Sequence, residues 1–164
     1  MRYRKWKRKL YLKTKPNILS KTYWSVKFIN KIMQKGRKAA AEKIVFHAFN
    51  KIKIEFHKNA WKILYLALIK NRPLLGFAPI RLGREIKQIP IPLSARRQLV
   101  ISLKWFITAM KLIRYDSGKV SMEEVLYTQL KAFINKEKTI LTRRRIDHIK
   151  ELIENRVNLH HRWK

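Results

Sequence analysis

A mainly α-helical fold is predicted: a bundle of about six helices with one protruding β-hairpin between the third and the fourth. Three observations predict it. From about residue 22 onward, apolar residues recur at three- and four-residue spacing through most of the chain. One stretch, "GFAPIRLGREIKQIPIPL" at residues 76–93, switches to a period of two. A chain of 164 residues with a hydrophobic fraction of 46% suits one domain with its own core. The expected organisation is a basic N-terminal arm over residues 1–20 and a single helical domain over 21–164.

The elements follow in order. Pro16 breaks the irregular basic pattern of the arm. Trp24, Phe28, Ile32 and Met33 have helical spacing and predict a helix over 22–34, with Gly36 as its C-cap. A second helix is expected from Arg37, with Ala41, Ile44, Val45, Ala48 and Ile52 as its apolar stripe. The third, over 59–69, is apolar nearly all round, so it should be central. Pro73 stops it. The hairpin occupies about 77–91, and its turn can be read in two ways. A loop of Gly83, Arg84 and Glu85 puts Arg81 and Lys87 on one face. A two-residue Gly83-Arg84 loop sets Leu82 opposite Glu85 and Ile80 opposite Lys87. The longer loop is the preferred expectation. Pro79, Pro90 and Pro92 make both strands edges. Ser94 is placed to cap a long helix to about Arg114, with Leu99, Leu103, Phe106, Met110 and Ile113 on its core face. "DSG" at 116–118 reads as a loop, and Ser121 with Glu124 as a capping box for a helix to about Asn135. The last helix starts near Ile140 and extends toward His160.

Charge narrows the function. Lys plus Arg number 40 against 10 acids, a formal net charge of +30. So large a charge repels itself unless a polyanion screens it. No acid precedes Glu42, while the same stretch carries fourteen bases. Cysteine is absent, which excludes disulfides, cysteine-based zinc sites and thiol nucleophiles. The apolar run "ILYLALI" is too short to span a bilayer, which needs roughly 20 residues. Neither a secretory leader nor a convincing transit peptide follows Met1. Asp147 and His148 are helix neighbours pointing about 100° apart, so they are expected to be solvated residues and not a catalytic dyad. His160 and His161 make a poor chelate. No P-loop, glycine-rich cradle or nucleophile elbow is present. The expectation is no enzyme, no cofactor and no metal.

Five basic clusters fall at an arm, helix starts, a ribbon and helix ends, where long side chains reach outward. They nominate Arg2, Arg4, Lys5, Lys7, Arg8 and Lys9 in the arm, and Lys35, Arg37 and Lys38 at the first helix junction. Arg96 and Arg97 stand at the fourth helix start, and Arg143, Arg144 and Arg145 near the last helix start. Arg72 and Arg162 join them. The hairpin contributes Arg81, Gly83, Arg84 and Lys87. One cluster alone would be a solvated face; five with so few acids point to nucleic acid. Tyr3, Trp6 and Trp163 could stack on unpaired bases or cover the core. A free DNA- or RNA-binding regulator is the alternative reading, and a basic membrane binder the weakest.

The order of the pieces is itself informative. "FINKIMQKGRKAAAEKIVFHAF", then "NRP", then "IRLGREIKQIPIPLSARRQLVISLKW", then "NRVNLHHRW" resembles the small-subunit ribosomal protein seven family. The resemblance runs from about residue 22 to the end. It implies a helical bundle with a ribbon, binding of the 3′ major domain of small-subunit ribosomal RNA, and nucleation of head assembly. It implies that the ribbon and C-terminal region lie near the messenger path and exit-site transfer RNA, among neighbouring proteins of the head and platform. Neither a membrane nor a homo-oligomer is expected. Two departures stand out. Arg84 replaces the second glycine usual at the ribbon tip, and "TKPNILSKTYW" replaces an acid-containing N-terminal segment. With a composition heavy in Lys, Ile and Asn, and little room before the resemblance begins for a presequence, a mitochondrial ribosome is the expected location.

Overall fold

The computed structural model describes residues 21–118 and 120–163. The chain runs α1 (Lys21–Ile32), α2 (Lys38–Phe56), α3 (Ala60–Lys70), β1 (Leu75–Leu82), β2 (Glu85–Pro92), α4 (Ala95–Ser117), α5 (Met122–Ile134) and α6 (Ile140–Glu154). A 3-10 helix, Asn155–Trp163, follows α6 directly. Six helices and one antiparallel hairpin between the third and fourth are therefore what forms, as the periodicities predict. The basic arm at 1–20 lies outside the described residues.

The core is built where the helical stripes meet. Trp24, Phe28 and Ile32 of α1 pack on Ala41, Val45, Ala48 and Ile52 of α2 and on Ile63, Leu64 and Leu68 of α3. Leu99, Leu103, Phe106 and Met110 close it from α4, and Val125, Leu126 and Leu130 from α5. Phe28 is fully buried. Its ring meets Trp61 edge-on at 6.3 Å and Phe106 at 6.1 Å, so three helices converge on one side chain. Ser102 is also fully buried, and its hydroxyl donates to the Leu68 carbonyl at 2.8 Å. That bond ties α4 to α3 and satisfies a polar group that burial would otherwise penalise.

Four local expectations are corrected. The hairpin takes the two-residue loop: Leu82 pairs with Glu85, Ile80 with Lys87 and Arg81 with Ile86. Gly83 has φ +61°, and Arg84 is not among the left-handed residues. A positive φ at the first loop position alone is the type II′ pattern, whose twist matches that of the strands. Arg81 and Lys87 consequently face opposite sides of the ribbon. Gly36 does not cap α1, which ends four residues earlier. Lys35 (φ 50°) and Gly36 (φ 75°) are both left-handed, and the Arg37 N–H donates to the Gln34 carbonyl at 3.0 Å. Those are the features of a type I′ turn. The helix α4 extends past Arg114 through Asp116 and Ser117, ending at Gly118 (φ 61°) as its cap. His148 is buried and not solvated. Its ring stands against Phe77 at 5.3 Å and Trp105 at 5.0 Å, and Nε2 lies 3.0 Å from the Leu75 carbonyl. Asp147 beside it is half-buried.

His148 explains how the ribbon is held. Its base rests on α6 and the terminal 3-10 helix, and the Asn158 amide donates to the Gln88 carbonyl at 3.3 Å. Ile89 is fully buried at this end, whereas Ile86 near the tip is 70% exposed. The tip projects and the base is pinned.

Candidate nucleic-acid interface

Helix starts concentrate positive potential, because their free N–H groups point outward. Three of the six described helices relieve it with a side-chain cap. Asn59 accepts from the N–H groups of Trp61 and Lys62 at α3, and Thr139 accepts from Thr142 at α6. The predicted box at α5 is complete: Ser121 Oγ accepts from Glu124 N–H, and the Glu124 carboxylate accepts from Ser121 N–H. The starts of α2 and α4 differ. Their N-cap residues, Arg37 and Ser94, make no side-chain cap bond, and neither first turn holds an acid. These same two starts carry Arg37 with Lys38, and Arg96 with Arg97, all exposed.

The α1–α2 corner gains partners that spacing alone could not show. A groove of about 640 Å³ runs between it and the end of α4, bringing Arg37 beside Lys111 and Arg114. No acid lines it, and Met33 and Ile44 contribute apolar wall. Lys111 and Arg114 lie seventy residues and more away from the corner in sequence, on the exposed side of a helix whose stripe reads as core. Lys38 is partly neutralised: its Nζ stands 3.4 Å from the Glu42 carboxylate, one helical turn on. Among the described residues, no carboxylate lies within ion-pair distance of Lys35 or Arg37.

At the start of α4, Arg96 donates to the Tyr23 hydroxyl at 3.3 Å, and Lys27 lies over the Tyr23 ring at 5.4 Å. Burial raises the pKa of that hydroxyl, yet the bonds and charges of Lys27 and Arg96 outweigh it and hold the pKa below 10.0. Lys27 is thus a third cation of this cluster that the sequence pattern concealed.

Arg72 and Arg145 come together across another groove, about 380 Å³, joined there by Arg156. Arg72 is half-buried. Arg145 donates to the Lys70 carbonyl at 2.7 Å, tying α6 to the end of α3. Arg143 is exposed, and Arg144 approaches the Glu151 carboxylate at 3.8 Å. On the ribbon, Arg81 Nε donates to the Gly83 carbonyl at 3.3 Å, Lys87 pairs with Glu85 at 3.6 Å, and Arg84 is exposed at the tip. Arg2, Arg4, Lys5, Lys7, Arg8 and Lys9, with Tyr3 and Trp6, lie outside the described residues, as do the side chains of Arg162 and Trp163. No group of three or more His, Asp or Glu among the described residues could hold a metal ion, and no described helix is long and apolar enough to cross a membrane.

A basic surface built on uncapped helix starts has the charge and the free N–H donors that suit phosphate. The comparisons with known proteins give that chemistry a family. The sequence model described as "Ribosomal protein S7p/S5e" matches residues 1–151. The small ribosomal subunit protein uS7 of Thermotoga neapolitana is 31% identical over 137 residues, covering 84% of this chain and 85% of that protein. Over the same share of each chain, uS7 of Dictyoglomus turgidum is 33% identical and uS7 of Caldicellulosiruptor saccharolyticus 31%. A family match over residues 1–151, with relatives 31% and 33% identical over most of both chains, puts this chain in the ribosomal protein S7p/S5e family.

Proposed function

We propose that this chain binds the 3′ major domain of small-subunit ribosomal RNA, nucleates assembly of the subunit head, and holds its ribbon near the messenger path and exit-site transfer RNA. Family membership makes it a structural, non-enzymatic component of the small ribosomal subunit. The observation that supports the RNA contact best is the α1–α2 corner, where Arg37 shares a groove with Lys111 and Arg114 and no acid lines the wall. Lys35, Lys38, Arg72, Arg96, Arg97 and the Arg143–Arg145 run are the further phosphate contacts in this reading, with the arm and Arg162. Arg81, Arg84 and Lys87 serve the ribbon. Neighbouring head and platform proteins complete the surroundings, without a homo-oligomer.

The ribosome is proposed to be mitochondrial. Arg84 at the tip and the Lys-, Ile- and Asn-heavy composition support this, while the relatives compared above are bacterial. Fractionation tests both levels at once. The chain should co-sediment with small subunits, those subunits should come from mitochondria, and hydroxyl-radical footprints should centre on the 3′ major domain. Sedimentation free of ribosomal RNA would refute the central claim; subunits from the cytosol would refute only the location.

A further inference from the structure

A third groove, of about 760 Å³, follows the outer side of α2 from Ala39 to His57 and ends at the start of α3. Val45, Phe49 and Trp61 form its apolar floor. Phe49 and Trp61 meet edge-on there at 4.4 Å. Phe46 stands at its mouth and is 64% exposed, and among the described residues its ring meets only that of His47, at 6.2 Å. A large aromatic left bare beside an apolar trough marks a contact surface more than an accident of the exterior.

Charge says what kind of partner fits. Lys43, Lys53 and Lys58 line the groove against one acid, Glu42, which already pairs with Lys38. Among the described residues the lining holds no arginine, although arginine dominates the starts of α4 and α6 and supplies Arg37 at the corner. Arginine's fork suits phosphate, whereas lysine offers a point charge on an apolar stem. Hydrocarbon walls with lysine rims match an amphipathic segment whose apolar side faces in and whose carboxylates flank it. The 19 residues of α2 span about 28 Å, long enough to seat some five helical turns.

We infer that this groove docks an acidic amphipathic segment of a neighbouring protein in the assembled small subunit. The inference rests on the reading of the chain as a subunit component. It is separate from the described part of the RNA surface, since none of the proposed phosphate contacts among the described residues lines the groove.

The test uses isolated small subunits that contain this chain. A zero-length carbodiimide joins lysine amines to carboxylates in contact, and acetylation reports which lysines are open. Lys43, Lys53 or Lys58 should couple to Asp or Glu of one other protein, within a segment carrying apolar residues at helical spacing. The same lysines should resist acetylation in subunits and react in the free chain. Subunits assembled with Phe46→Asp should lose about tenfold of the coupling while the free variant keeps its melting temperature and its RNA affinity. Lysines equally open in subunit and free chain would overturn the inference, and so would protection without carboxylate coupling or ultraviolet coupling of Phe46 to RNA. Absence of the chain from subunits would instead overturn the underlying function.

Discussion

The corner at Lys35, Arg37 and Lys38 makes a prediction whose sign depends on one acid. Arg37 is exposed, with no carboxylate within ion-pair distance among the described residues, and its groove neighbours Lys111 and Arg114 are cations. Lys38 stands 3.4 Å from the Glu42 carboxylate and does not line that groove. That pair is exposed at both ends and contributes to the fold only about 0.3–0.5 kcal/mol, typical of one-turn helix pairs. The fold therefore tolerates losing it, but the RNA should notice. Arg37→Ala removes a full phosphate contact, worth about 1 kcal/mol or roughly fivefold in affinity at moderate salt. Lys38→Ala should weaken binding less, because Glu42 already offsets its charge. Glu42→Gln should strengthen binding by roughly twofold, by freeing Lys38 and removing repulsion from phosphate. In a Lys38→Ala background most of that gain should vanish, which separates local release from a change in net charge. Filter binding to the isolated 3′ major domain RNA across a potassium chloride series measures all four. Arg37→Ala should also make the log–log salt slope shallower by about 0.7–0.9. Unchanged affinity for Arg37→Ala, or weaker binding for Glu42→Gln, would refute the corner as a phosphate site.

Other outcomes follow from the same structure. If about ten bases meet phosphates, the wild-type salt slope should be roughly −7 to −9, and a slope near −2 would contradict a multi-cluster surface. Glu55 bonds first to Lys131 and then to Tyr127, which holds its carboxyl below the usual 4.5 and raises Lys131 above 10.5. The Glu55 contribution is therefore present above pH 4.5 and lost as acid titrates it through its lower folded value; the Lys131 contribution is lost as base passes 10.5. Urea melts of Glu55→Gln should converge on wild type in acid and fall below it at neutral pH. His148→Ala removes a ring held by Phe77, Trp105 and the Leu75 carbonyl, costing about 2–3 kcal/mol. Hydrogen exchange should rise most in β1 and β2, and equal protection of the ribbon in both forms would sink its role as the pin. Deleting residues 82–86 should leave folding and ribosomal-RNA affinity nearly intact and change transfer-RNA release or frame maintenance; lost RNA binding would make the ribbon an assembly element instead.

The fold was legible because its stripes are regular. Trp24, Phe28 and Ile32, or Leu99, Leu103 and Phe106, keep helical spacing, and their burial leaves one way to assemble them. Ser121 with Glu124 was equally plain, since that cap is local in sequence. Sequence and structure part where two local solutions compete. Gly83 suits either hairpin loop, and the sequence carries no term for strand twist, which selects the two-residue turn. Gly36 suits either a helix cap or a turn, and Lys35 taking φ 50° cannot be foreseen from its side chain. The candidate site is legible in its exposed clusters and hidden in the cations that only the fold brings together. Lys111 and Arg114 read as the solvated side of α4 until α1 and α2 fold against it, and His148 reads as solvated until the ribbon covers it.

The placement of the acids gives the molecule a direction. On the α2–α5 side, Lys51 meets Glu123 at 2.9 Å and Lys131 meets Glu55 at 2.8 Å, so opposite charges there neutralise each other across two helices. The first turn of α5 is also the one helix start among the described elements that holds acids. The starts of α2 and α4 present the reverse, with bases crowded onto uncapped N–H groups. In the free chain this crowding opposes helix formation. With phosphate seated there, the same groups supply both the charge and the hydrogen-bond donors that hold it. In the proposed complex, RNA would restore the local stability that the chain gives up at these two helix starts, whereas the start of α5 is completed by its own serine and glutamate.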